Sequence, residues 1–183
     1  MLLLALMMLP HLVWLTLWDV AARAMLLVHW LATLFSRRTE EDLATFLVRY
    51  LRYRAHVQAY LASLTGRYPG FRGRAGSYPI DFDFVVPQRQ RALLTLFRAP
   101  LAVPAFILSS VFAVIFVTTG VASWLVALAL GRQPKGMRDL AAYCLRYRVQ
   151  TSAYLFVVTT RYPVLASDAR LYTAPAVEPQ TPQ

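Results

Sequence analysis

From Pro104 to Leu130 the chain runs 27 residues without an ionisable side chain, well past the ~18 apolar residues that mark a transmembrane candidate. Pro10 to Phe35 is a similar run, interrupted by formal charge only at Asp19 and Arg23. A proline opening each run suits the first turn of a helix, where its missing N–H costs nothing. Helices are therefore predicted from Pro10 to Phe35 and from Pro104 to Leu130. At 1.5 Å per residue each would be ~40 Å long, enough to cross a ~30 Å hydrocarbon core with tilt. Trp30 and Trp124 then fall near the far interface, where indole rings prefer to sit. The opening "MLLLALMMLP" lacks a basic n-region and reads as part of a retained membrane helix rather than a signal peptide.

After each apolar run the period changes. Between Glu41 and Leu64, helical spacing gathers Leu43, Phe46, Leu47, Tyr50, Tyr53, Val57, Tyr60, Leu61 and Leu64 on one stripe, with Arg49, Arg52 and His56 opposite. Between Met137 and Thr160 the stripe is Leu140, Cys144, Tyr147, Thr151, Tyr154, Leu155 and Val158, opposite Asp139, Arg146 and Gln150.

These two segments resemble each other because the chain repeats itself. "LRYRAHVQAYLASLTGRYP" at residues 51–69 returns as "LRYRVQTSAYLFVVTTRYP" at 145–163, 94 positions on and without a gap. The same offset pairs Pro10 with Pro104, Trp30 with Trp124 and Arg38 with Arg132. The expected organisation is a membrane repeat at 1–71, a polar linker at 72–94, a second membrane repeat at 95–165 and a disordered tail at 166–183. In the linker, Ile80, Phe82 and Phe84 alternate with Asp81 and Asp83, a period-two strand signal whose aspartates read as a solvated face. "RQRALLTLFRAP", with Arg89, Arg91 and Arg98, suits a short interfacial helix.

Composition agrees with the membrane class. Of 183 residues 58% are hydrophobic and 15% charged, and the mean hydropathy is +0.47. The net charge of +10 would suggest nucleic acid on a soluble domain. On a membrane protein it fits cytoplasmic loops and anionic headgroups, and no nucleic-acid partner is expected. Cys144 is the only cysteine, which excludes an intramolecular disulfide. His11, His29 and His56 lack ligand spacing, so neither a metal nor another cofactor is expected. No nucleophile elbow, P-loop or dinucleotide-binding glycine pattern is present, and the expected role is non-enzymatic.

Two features carry candidate chemistry. The first is the repeated triplet Arg52, Tyr53, Arg54 and Arg146, Tyr147, Arg148. An arginine at mid-bilayer costs about 2.5–3.5 kcal/mol on insertion scales, so its recurrence needs a reason. The heads could snorkel to interfacial phosphates, or pair with acids. Alternatively the two repeats could face each other and form one basic pocket, where guanidinium forks bind an anionic lipid headgroup bidentately and the tyrosines add hydroxyls. The second feature is the i, i+4 charge pair Asp19 and Arg23 inside the first helix, which is a functional hypothesis or a neutralised structural pair.

"YPIDFDFVVP", "LFRAPLAVPAFIL", "LGRQPKGMRDL" and "RYRVQTSAYLFVVTTRYP" together resemble a family of uncharacterised actinobacterial membrane proteins built on a tandem domain of unknown function. The resemblance covers nearly the whole chain and departs at "SRRTEED", which lacks the usual Gly and Pro. It implies the membrane class and the repeat, and no activity.

The sequence thus predicts an all-α integral membrane protein of two tandem helical repeats with a short strand-bearing linker, multi-pass in the cell membrane. Four crossings with parallel repeats are favoured over two. The expected role is an accessory or scaffold component of the cell envelope that contacts anionic lipid and a protein partner in a membrane complex. The alternative is a transporter or channel-like subunit that uses Asp19, Arg23 and the arginines as a polar pathway.

Overall fold

The computed structural model of the protein describes residues 2–36, 40–82, 86–87, 95 and 97–165. Among these it has four helices, α1 (Leu2–Ser36), α2 (Glu41–Leu61), α3 (Arg98–Leu130) and α4 (Lys135–Leu155), and no strand. Two of them, α1 and α3, are long and apolar enough to cross a membrane.

Both apolar helices begin before the proline expected to open them. Pro10 lies inside the 35 residues of α1 and Pro104 inside the 33 of α3. The preceding stretch of Leu, Met and Ala favours helix strongly enough to carry α1 through Pro10, and both proline rings lie on exposed faces where the lost hydrogen bond disturbs no packing. At the start of α3, Arg98 is buried and donates from Nη1 to the carbonyls of Tyr154 and Thr159, both at 3.1 Å. That clasp ties the first turn of α3 to the end of α4.

The helices α2 and α4 start and stop 94 positions apart and end alike. After α2, Leu64 N–H reaches back to Ala59 O at 2.9 Å and Ser63 N–H to Tyr60 O at 2.9 Å. After α4, Val158 bonds Ala153 O and Val157 bonds Tyr154 O. Both are Schellman-type caps, which need a left-handed residue and usually take glycine. Here the positions hold Ser63 at φ 56° and Val157 at φ 60°. A β-branched residue is strained there, and Val157 is held by burial. These caps stop the helices short of the expected Leu64 and Thr160.

Helix α1 packs antiparallel on α2: Met8 clusters with Val57 and Tyr60, His11 bonds Tyr53, and Trp18 meets Phe46, Tyr50 and Tyr53. Helix α3 packs likewise on α4 through Phe112, which meets Tyr143 and Tyr147. The two hairpins are in turn antiparallel to each other. Trp30, late in α1, donates to the Thr95 carbonyl ahead of α3, whereas Trp124, late in α3, donates to the Leu61 carbonyl at the end of α2. Each tryptophan thus fastens one hairpin to the backbone of the other. The turns after α1 and after α3 consequently lie at opposite ends of the bundle, unlike the parallel arrangement expected from the sequence.

This geometry obliges the segment between α2 and α3 to run back along α2. Tyr78 stacks on His56, with ring centroids 4.6 Å apart, and the Phe82 carbonyl accepts from Arg52 Nε at 3.1 Å. The expected strand is absent at Ile80–Phe82 because Asp81 has a different use, and Asp83 and Phe84 lie outside the described residues. The Asp81 carboxylate accepts the N–H groups of Gly76 (2.6 Å) and Phe82 (2.8 Å) and pairs with Arg52 Nε at 3.1 Å. His56 Nε2 stands 3.7 Å away. A carboxylate that bonds nearby backbone N–H groups closes a turn and competes with extended pairing. Asp81 is therefore a buried anchor rather than part of a solvated face. The expected interfacial helix falls mostly outside the described residues, as does the tail.

Burial alone would raise the Asp81 pKa, but the His56 contact, the two N–H donors and the Arg52 charge outweigh it and hold the carboxyl below its usual value. A depressed carboxylate adds stability above its unfolded pKa of about 3.9 and loses it as pH falls through the lower folded value. Thermal melts in uncharged detergent should show wild type losing stability below about pH 4, with a flatter profile for Asp81→Asn. At neutral pH Asp81→Ala should cost on the order of 3 kcal/mol, because it takes away Arg52's buried countercharge. Identical pH profiles for wild type and Asp81→Asn would remove Asp81 from this role.

Candidate functional site

The two hairpins meet where α2 crosses α4. The seam is built of small and medium side chains, Ala55, Ala59 and Ala62 against Ala141, Cys144, Leu145 and Val149. Small residues let two backbones approach closely and leave little room for rotation. Because the helices are antiparallel and share the 94-residue register, a residue near the crossing faces its own counterpart. Arg54 and Arg148 are such a pair.

Both line one open cavity of about 430 Å³ to which all four helices contribute. The floor comes from α2 and α4, with Arg54 and Gln58 opposite Arg148 and Ser152; Asp19 and Arg23 of α1 form one wall, Ser109 and Ser110 of α3 the other. Each floor guanidinium lies in the field of the other, and that of Arg148 rests over the Phe116 ring at 5.3 Å. Three arginines and one aspartate leave the groove with a positive balance. Ser110 and Ser152 already donate to the carbonyls of Phe106 and Arg148, which leaves the Ser109 hydroxyl and the Gln58 amide as neutral donors on the lining. A groove of forked cations and neutral donors is chemically suited to a phosphate or carboxylate.

Asp19 is already engaged. It pairs with Arg23 at 2.5 Å in the i, i+4 geometry, and the Tyr50 hydroxyl, on a fully buried residue, donates to its other oxygen. The charge pair expected from the sequence is thus tied to α2 by a third group, and it sits in the wall of the arginine groove.

The other expected site residues go elsewhere. Arg52 points away from the groove, to Asp81 and the Phe82 carbonyl. Arg146 lies over the Tyr143 ring on the far side of α4, at 5.3 Å. Tyr53 is buried in the α1–α2 seam, 2.7 Å from His11 Nδ1. Tyr147 occupies the α3–α4 seam, 5.0 Å from Phe112. Of the two triplets, then, only the last arginine of each comes into the shared groove. Gln58, Ser109, Ser110 and Ser152 were missed by the sequence reading. Gln58 had a signal, since it stands four residues after Arg54 on the same helix face, and Ser152 likewise follows Arg148.

Removing Asp19 should therefore hurt chiefly through Tyr50. Asp19→Ala takes the acceptor from a buried hydroxyl, at about 1–3 kcal/mol. Arg23, with 74% of its side chain exposed, should cost under about 1 kcal/mol on truncation to alanine. Adding Tyr50→Phe to Asp19→Ala should recover most of the loss, because the buried hydroxyl that lost its acceptor is then gone as well. Thermal unfolding of the three variants tests this, and a double variant no more stable than Asp19→Ala would refute it.

No curated protein and no solved structure matches the chain. One family does, in two segments that together take in most of the length, residues 1–72 and 93–167, divided within the connector between α2 and α3. The chain belongs to the family described as a domain of unknown function, DUF4389.

Proposed function

We propose that the protein is a duplicated, membrane-seated lipid-binding protein, with α1 and α3 immersed by their apolar faces and the arginine groove open to an anionic headgroup. The observation that carries this reading is the meeting of Arg54 and Arg148 on the floor of a groove walled by the two most apolar helices. The outward face of α1 exposes Val13, Leu17, Val20, Leu27 and Leu31, and that of α3 exposes Ile107, Val114, Val121, Leu125 and Leu128. Apolar surfaces this long mark a membrane or a partner. The role is read as non-catalytic, that of an accessory component of the cell envelope.

The connector supports one orientation over another. If the four helices stood upright in a bilayer, the non-helical segment along α2 would lie at hydrocarbon depth with Arg72 and Arg74 exposed. Lipid-exposed irregular backbone does not occur there. An upright bundle would also put the basic turn at Arg132 and Lys135 on the membrane face opposite the turn after Ser36, where Arg37 and Arg38 follow in sequence, against the positive-inside bias. Laid flat, with α1 and α3 in one leaflet, the molecule keeps the connector and both basic turns on one side. This reading replaces the four crossings expected from the sequence.

Single cysteines in a Cys144→Ser background test the seating, placed at Ser36, Ser77 and Arg132. All three should react with an impermeant maleimide from the same side of sealed vesicles. Ser36 and Arg132 on opposite sides would establish an upright antiparallel bundle, and Ser77 opposite the other two would establish parallel hairpins; either result overturns the flat arrangement.

Lipid binding is tested separately, by mass spectrometry of lipid co-purified in uncharged detergent. Arg54→Gln with Arg148→Gln should lose most of the anionic lipid, as should the paired Lys exchange, which keeps charge but loses the fork. Arg132→Gln with Arg138→Gln, both exposed, should keep it. Equal loss in that control pair would reduce the binding to general surface attraction, and no loss from the groove pair would end the headgroup reading.

A further inference from the structure

The arginine groove does not end at Arg148. A slot of about 320 Å³ opens beside it, between the end of α2 and the middle of α3, walled by Leu61, Ala62, Phe116, Gly120, Val121 and Trp124. Gln58 and Arg148 line both cavities, so a polar chamber and an apolar one lie side by side. Trp124 spends its only hydrogen-bond donor on the Leu61 carbonyl at 2.9 Å. Its rings are left as apolar wall.

The place 94 positions away carries larger side chains and forms part of the arginine groove, which Leu26, Leu155 and Phe156 line. Gly120 corresponds to Leu26 and Ala62 to Phe156, and both of those side chains are packed into the core cluster beneath α1. Phe156 stacks on Tyr50 there, with centroids 5.7 Å apart. The exchange is not uniform, since Phe116 corresponds to Ala22. The two positions that would block the slot are nonetheless the two that are small. Close helix packing does not require this glycine: a Cβ on Gly120 would stand 3.8 Å from Ala62 Cα, an ordinary contact. Glycine is also a poor helix residue beside alanine or leucine. An open slot accounts for a glycine that neither propensity nor sterics demands.

We infer that the groove and the slot together hold one phosphate-bearing lipid, its phosphate between Arg54 and Arg148 and one acyl chain in the slot against Trp124. The inference rests on the headgroup reading above and deepens it. Headgroup contact alone would leave the lipid in its leaflet with its chains among other lipids. Seating one chain in a slot of the protein makes the ligand a single bound molecule, recognised at both of its chemically distinct ends. The slot supplies chain recognition through apolar burial, which grows with each methylene removed from water, and the arginines supply the phosphate fork.

The test uses the full chain in uncharged detergent, with binding followed by native mass spectrometry. Three probes separate the two ends: lysophosphatidylglycerol, with phosphate and one chain; glycerol 3-phosphate, with phosphate only; and monoacylglycerol, with a chain only. Wild type should bind one lysophosphatidylglycerol at least about tenfold more tightly than either fragment. Gly120→Leu should weaken that binding at least about tenfold and leave glycerol 3-phosphate unchanged. Arg148→Gln should weaken both phosphate compounds. Ala62→Phe fills the slot from the other wall and provides a second variant if Gly120→Leu melts early. If both slot variants bind lysophosphatidylglycerol as wild type does while Arg148→Gln does not, the chain site falls and the headgroup site stands. If Arg148→Gln also binds normally, both fall.

Discussion

The crossing of α2 over α4 is the contact on which the rest of the molecule depends. Alanines at the seam set how closely the two backbones lie, and the antiparallel sense brings counterpart residues face to face. A small shift of one helix along the other would separate Arg54 from Arg148 and break the groove floor. Leu51 and Leu145, buried near the same crossing, resist that shift because a packed interior accepts discrete arrangements rather than continuous sliding. The register of a hydrophobic seam thereby positions two charges.

The same crossing explains the connector. Antiparallel hairpins put the end of α2 and the start of α3 at opposite ends of the bundle, so the chain must travel the length of α2 to continue. A polar, irregular segment can do so only if its backbone groups find partners. Arg52, His56 and Asp81 are the means: the arginine and histidine on the outward face of α2, the aspartate on the returning chain. Tyr78 adds a ring over His56 and a hydroxyl bond to the Arg67 carbonyl at 2.8 Å. Burial pushes that phenol up to about 12, so it stays a donor throughout the physiological range. Gly73 lets the connector press against the helix, because a Cβ there would meet Arg49 O at 2.1 Å.

Much of this was legible in the chain itself, and the parts that were not share a cause. Helix positions, the apolar stripe through Leu47, Tyr50, Tyr53, Val57 and Tyr60, and the Asp19–Arg23 pair all depend on separations of a few residues, which periodicity reports. Which arginine of each triplet faces the groove depends on where a second helix lies, and no local period contains that. Arg52 and Arg54 look alike in sequence; Asp81, 29 positions beyond Arg52, decides between them. Alternation misread Asp81 because Ile80–Phe82 has the spacing of a strand, while a carboxylate with two backbone donors in reach makes a turn instead. The prolines misled in a similar way, since a first-turn proline and an exposed mid-helix proline differ only in what precedes them.

Two guanidiniums that line one cavity, each in the field of the other, are a cost to the fold. Like charges at a partly buried site repel in a medium that screens them less than water does, and here the alanine seam prevents them from drawing apart. An anion between them converts that repulsion into two attractions without moving the backbone. Any ligand that binds the folded state in preference to the unfolded one stabilises it by mass action. On the proposed reading, occupancy of the groove would therefore be coupled to the packing of the two hairpins. The coupling runs through the short path from Arg54 and Arg148 into the seam beneath them, with Ala55 and Val149 next in sequence to the arginines and buried in that seam. On the proposed reading, a bound anion would offset this repulsion at the seam where the two hairpins meet.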